Sequence, residues 1–415
     1  MEVFSKDIKA LKLPAGPVVI VEEMPHLTSV AFSILLPVGA ISDPEGEEGT
    51  NLLLVDLLQR GAGTYDTRAL SEAFDNIGIH KSQSPGIEAT VFSGMGLGEN
   101  LGAGLRLVKT MITEPWLPES ELDSVRALAL QDLRSLEDEP ASKVMVELAA
   151  RLYPHPYGRS NYGTEAGLKS VTVDSLRSFH QKFYRGSNVI IGVAGRVNAE
   201  DVFREAQEIF SGWSGEAPAP APCSSLEKAG SWFKAQDTSQ LQIALAFPSV
   251  SIDHPDYYSA KVLEGILSGG MSGRLFIEVR EKRGLVYRVS ASHSAIRGRA
   301  AFIAYAGTTP ENGQETLDVM LDVIRHSSEG ISSDELERAK IDLKSRLIMR
   351  GESSSSRASA LVSDYYNLSR VRTLDEIKAG VDAVTAENIA HYLSSCPPHP
   401  VTLMTLGKKR LEITN

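Results

Sequence analysis

Cysteine is almost absent: Cys223 and Cys396 stand far apart in 415 residues, which argues against a disulfide framework and a cysteine-rich metal site. Histidine is scarce as well. No two of the nine histidines lie four residues apart, so neither H-x-x-x-H nor H-x-x-E-H, the helical zinc motifs, occurs anywhere. No apolar run approaches the ~20 residues that a membrane-spanning helix requires; the longest, such as Val30 to Val38, are strand-sized. An excess of positive charge is missing too. The formal net charge is −11, whereas a nucleic-acid backbone is bound through clustered Lys and Arg. A peptide ligand stays open, with a mild bias toward basic ones. Met1 to Asp7 lack the basic-then-apolar order of a secretory signal. With so little cysteine, this points to the cytoplasm.

What is present suits two domains. Hydrophobic residues make up 42% and charged residues 23%, enough apolar material for a buried core in each half. The clearest break is the Pro/Ala-rich segment 212–225, Gly212-Trp213-Ser214-Gly215-Glu216 followed by alternating Ala and Pro, which favours an extended spacer. It divides the chain into domains 1–211 and 226–415.

These halves repeat one another. The helix start at Glu119-Ser120-Glu121-Leu122 has a counterpart at Ser333-Asp334-Glu335-Leu336; Val171-Thr172-Val173-Asp174 matches Val384-Thr385-Ala386-Glu387; the strand Thr28 to Pro37 is echoed by Ser239 to Pro248. All three pairs are offset by about 210 residues, the sign of a duplicated domain rather than a short solenoid repeat. Strand-like runs (Val18 to Glu22, Val30 to Leu36, Asn188 to Ala194, Gln242 to Phe247, Ala301 to Tyr305) alternate with long amphipathic helices at Glu119 to Leu136 and Ser333 to Arg350. The expected fold is α+β: two homologous domains, each a mixed β-sheet with helices packed mainly on one face.

Several segments then carry a resemblance. Gly39 to Gly49, Gly61-Ala62-Gly63-Thr64, His155-Pro156-Tyr157-Gly158, Gly269-Gly270-Met271-Ser272-Gly273-Arg274-Leu275-Phe276, Val279 to Tyr287 and Ser353 to Arg357 resemble, in order and over essentially the whole chain, the pitrilysin/insulinase family of zinc peptidases. In that family the helix after the first segment carries H-x-x-E-H. Its two His share one helix face and ligate zinc, and its Glu acts as general base on the metal-bound water. Registered on Gly49, the resemblance puts Leu52 and Asp56 at the His positions, Val55 at the base and Asp132 at the distal Glu ligand. Aliphatic side chains neither ligate nor take a proton, so no cofactor is expected in this chain. A cation on Asp56 and Asp132 is the less favoured alternative to solvated acids. His26, His80 and His293 lack a ligand-spaced partner, and His155 sits in a proline turn.

Arg280 and Tyr287 match an Arg/Tyr pair that the family carries in its C-terminal domain. The residues themselves suggest a helix over Phe276 to Arg283, a stop at Gly284 and a strand from Leu285 to Ser292. That would bring both side chains close enough to donate to one peptide carbonyl and to the charge growing on its oxygen. The plainer alternative has Arg280 neutralising a helix end and Tyr287 half-buried in packing. Gly269, Gly270 and Ser272 are candidate substrate-binding residues, or simply a turn into the helix; Arg274 and Arg283 read as surface or packing charges.

The resemblance therefore implies a zinc-less subunit of a heterodimeric metallopeptidase. Arg280 and Tyr287 would be its catalytic contribution, and a zinc-bearing homologous subunit would supply metal and base for cleaving peptides. The alternative is a non-catalytic peptide-binding or scaffold subunit of a larger assembly.

Overall fold

The β-branched runs become two mixed sheets in the computed structural model, which describes residues 1–219, 226, 229–296 and 298–413. The first sheet uses β1 (Glu2–Val3), β2 (Ile8–Lys12), β3 (Val18–Glu23), β4 (Ser29–Leu36), β5 (His80–Pro85), β6 (Thr90–Leu97) and β7 (Ile190–Gly195), in the order β1-β2-β3-β7-β4-β6-β5. The second uses β8 (Ser231–Ala235), β9 (Leu241–Pro248), β10 (Val286–Ile296), β11 (Arg299–Thr308) and β12 (Thr402–Gly407), in the order β10-β11-β9-β12-β8.

The duplication is visible strand by strand. β3 pairs parallel with β7 as β8 does with β12, and all other pairs are antiparallel. Matching β3-β7-β4-β6-β5 to β8-β12-β9-β11-β10 leaves only β1 and β2 as additions to the first sheet. The helix starts agree as well. Thr172 and Ser175 form a reciprocal capping box on the Val173–Phe183 helix, and Thr385 and Asn388 form one on Ala386–Ser395. Each satisfies two of the N–H groups that a helix start leaves unpaired.

Each sheet packs most of its helices on one face. In the first, Val19, Val21, Phe32 and Ile34 share a core with Leu53, Leu54, Leu105, Val125, Leu176 and Val202 from five helices. In the second, Ile243, Leu245, Phe302 and Ala304 pack with Val262, Leu263, Leu317 and Ile389. Among the described residues, the opposite faces carry a single helix apiece. Ala358, Leu361 and Val362 of Ser354–Leu368 cover Ile20, Ala31, Leu35 and Ile190, while Val144, Leu148 and Leu152 of Pro140–Leu152 cover Ala244, Ala246 and Met404. Covering on both faces is why β4 and β9 read as continuous apolar runs instead of alternating.

Each of these lone helices comes from the other half of the sequence. One compact unit comprises residues 1–135, 159–221 and 350–373, the other 136–158, 222–349 and 374–415. The change of unit after residue 221 falls inside the Pro/Ala-rich segment, whose residues 220–225, Cys223 among them, lie outside the described residues. The two exchanged segments have no sequence signature of their own. Their helices are ordinary amphipathic ones, and periodicity does not say which sheet they will cover.

Close approach makes the first exchange possible. A Cβ on Gly192 would stand 2.6 Å from the Ala358 carbonyl oxygen, so glycine in β7 lets the helix backbone settle against the sheet. Buried Arg357 then donates through Nε to Glu22 Oε2 at 2.8 Å. In the second unit the buried Lys143 ammonium pairs with Glu137 and reaches Gln236 Oε1 at 3.2 Å.

Candidate functional site

The Thr50–Leu57 helix of the first unit holds three of the four positions matched to a zinc site, and the fourth, Asp132, lies on the Glu119–Ser135 helix. Asp43 accepts N–H bonds from Gly49 and Asn51, both at 2.8 Å, one on each carboxylate oxygen. Asn51 then donates to Thr90 Oγ1 at 2.9 Å and accepts from the Tyr184 hydroxyl at 3.0 Å. Arg159 Nη1 donates to the Asp43 carbonyl oxygen at 2.5 Å. Burial pushes the Asp43 carboxyl up to about 6, against the lowering pull of those two N–H donors and of Arg159.

Further along, the chemistry is gone. Leu52 packs half-buried on the core and Val55 is 1% exposed within it. Asp56 is raised above the usual carboxylate range by burial, an effect that Arg60 offsets and that the nearby charge of Asp132 reinforces. Asp132 itself is exposed.

The Arg/Tyr segment belongs to the second unit and has a different character. The Tyr257–Ser268 helix ends at Gly269, and a tight turn follows over Gly270–Ser272, Gly270 taking φ +79°. Phe276–Glu281 then winds as a π-helix, closed by the Lys282 N–H to the Ile277 carbonyl at 2.9 Å. Gly284 ends it with φ +64°, its N–H on the Arg280 carbonyl at 2.9 Å. The expected helix, glycine stop and strand are therefore present, with the helix wound one residue wider than an α-helix over the segment that bears Arg280.

The strand has its own irregularity. Val286 pairs with Thr308 but Arg288 with Gly307, which leaves Tyr287 as the extra residue of a β-bulge. Both members of the pair thus sit on backbone irregularities of the kind that re-aim side chains and gather near functional sites. The π-helical segment packs against β10. Arg280 is exposed, its guanidinium 5.0 Å from the centre of the Phe276 ring. Tyr287 is 65% exposed. Neither has an ion pair or side-chain hydrogen bond among the described residues, so the alternative with Tyr287 half-buried in packing does not hold.

Other candidates fall into structural roles. Arg274 makes a two-pronged contact with Glu335, at 2.7 and 2.8 Å, and caps the Ser327 and Glu329 carbonyls. Arg283 binds Glu278. His293 is buried against Tyr257 and Phe302, with Nε2 on the Val250 carbonyl at 3.0 Å. Gly269 and Ser272 line a cavity of about 390 Å³ together with Ile266, Ala339 and Ile341. The Ile341 wall has a signal in the sequence: Ile341 and Ile348 form a second apolar stripe, out of phase with the core stripe of Leu336, Ala339 and Leu343.

Comparison with known proteins agrees with this architecture. Residues 18–165 match the model for insulinase, peptidase family M16, and residues 170–343 match that for the peptidase M16 inactive domain. The chain belongs to peptidase family M16. An uncharacterized zinc protease of Rickettsia bellii is 26% identical over 404 residues, 97% of this chain and 98% of that protein. One from Bacillus subtilis is 28% identical over 390 residues, 92% and 94% of the two chains. The crystal structure of a peptidase M16 inactive domain from Pseudomonas fluorescens superposes with a TM-score of 0.88 at 23% identity, covering 98% of this chain and all of that one. The last likeness speaks for the fold.

Membership in M16 raises the question of zinc, and the residues here do not fit it. A zinc centre takes three or four N, O or S ligands. The matched positions offer two aliphatic groups, one carboxyl that burial pushes toward its neutral form, and one exposed carboxylate. No group of three or more His, Cys, Asp and Glu side chains able to hold a metal occurs among the described residues. None of the described helices is long and apolar enough to cross a membrane.

Proposed function

We propose that this chain is the zinc-less subunit of a two-chain peptidase. It holds an unfolded peptide and stabilises the transition state through Arg280 and Tyr287, while a homologous chain bearing H-x-x-E-H supplies zinc and the general base, both in the cytoplasm. One contrast carries the reading: the matched zinc positions of the first unit are aliphatic or desolvated apart from one exposed carboxylate, Asp132, yet two donors of the second stand exposed on a π-helix and a β-bulge.

The roles follow from the chemistry of amide hydrolysis. When water attacks a peptide carbonyl, negative charge grows on its oxygen, and donors already in place stabilise that charge more than the neutral ground state. Arg280 brings a permanent charge and several N–H donors, and Tyr287 brings a neutral O–H. β10 is an outer strand of its sheet and begins beside Tyr287. An extended peptide could add to such an edge by main-chain hydrogen bonds, which hold substrates of varied sequence.

The test is to co-express the chain with homologous H-x-x-E-H chains of the same genome, purify the pair, and assay cleavage of unstructured peptides. Activity that needs both chains, and that Arg280→Ala with Tyr287→Phe removes, is the expected result. Unchanged cleavage by that double variant overturns the role given to the pair. Peptide binding without accelerated cleavage, in the presence of every partner, would instead make the chain a non-catalytic scaffold subunit.

A further inference from the structure

We infer that the cavity beside Gly269 and Ser272 is a subsite for one large aliphatic side chain of an extended peptide. The inference rests on reading the second unit as a peptide-contacting surface, and it names which peptides that surface favours.

The cavity opens between the end of the Tyr257–Ser268 helix and the Ser333–Gly351 helix. Glycines let its walls approach closely. A Cβ on Gly265 would come within 3.1 Å of the Ala339 Cβ, and one on Gly269 would stand 2.3 Å from the Gly265 carbonyl oxygen. Gly265 precedes the buried pair Ile266-Leu267 as Asp56 precedes the buried pair Leu57-Leu58. In the duplicated fold, then, the place of a degenerate ligand position in one unit is a glycine packed closely on Ala339 at the cavity wall of the other. At about 390 Å³ the cavity lies near the lower end of the ~300–1,000 Å³ of small-molecule pockets, a size for a side chain and its flanking peptide rather than a folded partner.

Chemistry narrows the occupant. The two acids of the lining are already committed: Glu335 holds Arg274 through two hydrogen bonds, and Asp342 pairs with Arg346. What they leave is the apolar wall of Ile266, Ala339 and Ile341, with Ser272, Ser345 and Arg338. Arg338 is the one lining charge without an ion pair among the described residues, which makes an acidic side chain the competing occupant.

A second observation favours the aliphatic one. The exposed large apolar side chains of this unit, among its described residues, are Met271, Tyr287, Ile341, Ile348 and Met349. All five lie on the segment running from the glycine turn into β10, or on the long helix that walls the cavity. Single exposed apolar residues are ordinary, but their restriction to the elements that frame one concavity, with Ile341 in its wall, marks a binding surface. The glycine turn also packs against the π-helix that carries Arg280, so a peptide held here would run beside the proposed donors.

Binding to the isolated, full-length chain tests the subsite without any partner. Four labelled, unstructured peptides, identical except for Ala, Leu, Glu or Lys at one central position, would be titrated by fluorescence anisotropy. The Leu peptide is expected to bind at least about tenfold more tightly than the Ala peptide. That preference should vanish in Ile341→Glu and persist in Ile341→Leu, with thermal melts confirming that both variants fold. Equal binding of Leu and Ala peptides overturns the inference, as does tightest binding of the Glu peptide or no binding of any. Because the assay needs neither zinc nor Arg280 and Tyr287, its failure and that of the catalytic reading can be told apart.

Discussion

The two units share a strand order and differ in what they do with it. In the first, the helix after the second core strand is wedged into a buried polar network of Asp43, Asn51, Thr90 and Tyr184, and its would-be catalytic face has joined the core through Val55. In the second, the corresponding helix stops at a glycine turn, and the backbone beyond it winds into a π-helix and then bulges. One copy keeps regular geometry and no usable chemistry; the other departs from regular geometry and leaves its donors unspent. Duplication thus fixes the scaffold, while side-chain polarity and local irregularity decide which copy keeps exposed donors.

The exchanged helices offer the sharpest way to break this comparison, because their anchoring charges sit in unlike surroundings. Arg357→Met would leave Glu22 buried without its partner. Such a loss costs about 3–5 kcal/mol, and it should appear as early unfolding of the first unit in urea, followed by hydrogen exchange in β3 and β7. Lys143→Met is the matched change in the second unit. Its partner Glu137 has a side chain 63% exposed and can return to water, so the expected cost is about 1 kcal/mol or less. Equal destabilisation by the two substitutions would mean that burial of the partner carboxylate does not set the cost.

Next in size is the effect on chemistry. In a purified two-chain peptidase, Arg280→Ala is expected to lower kcat by about 10²–10³, the usual worth of one donor to a developing oxyanion. KM should change little, since an interaction made only in the transition state does not contribute to ground-state binding. The contrasting variant in the first unit is Asp56→Asn, which should leave kcat within about twofold because that unit is given no part in the reaction. A large loss from Asp56→Asn would return function to the first unit.

Much of this organisation was legible in the sequence, and what was not has physical causes. The repeat was read from strands and caps, which are local features, and the same pairs appear as β4 and β9 and as two capping boxes. The glycine stop at Gly284 was equally local. The exchange of helices was not legible, since an amphipathic pattern says that a helix has a buried face without saying which sheet it buries against. Nor was the Tyr287 bulge, which depends on the register of β10 against β11 and so on residues about twenty positions away. The Asp43 network escaped for a similar reason: it joins Asp43, Asn51, Thr90 and Tyr184 across 141 residues of chain, and no one of them stands out alone.

The last expected effect concerns acid, and here the units should respond with opposite sign. Burial pulls His293 down to about 4, helped by the neighbouring Lys261 charge, from the ~6.5 of an unfolded histidine. The unfolded chain therefore binds the proton first, and the second unit should lose stability as pH falls from about 6.5 toward 4, by up to ~3 kcal/mol. Asp43 runs the other way. Its carboxyl is raised to about 6 in the fold, so the folded chain takes up the proton first, and the first unit should gain stability as pH falls from about 6 toward 4. Hydrogen exchange at pH 6.5 and 4.5, on variants and parent, would separate the two: His293→Gln should flatten the response of β10, and Asp43→Asn that of the Thr50–Leu57 helix. The same sign in both units would mean that the Asp43 carboxylate, held by two N–H groups at a helix start, stays charged in the fold, and that its electrostatic stabilisation there exceeds the cost of its burial.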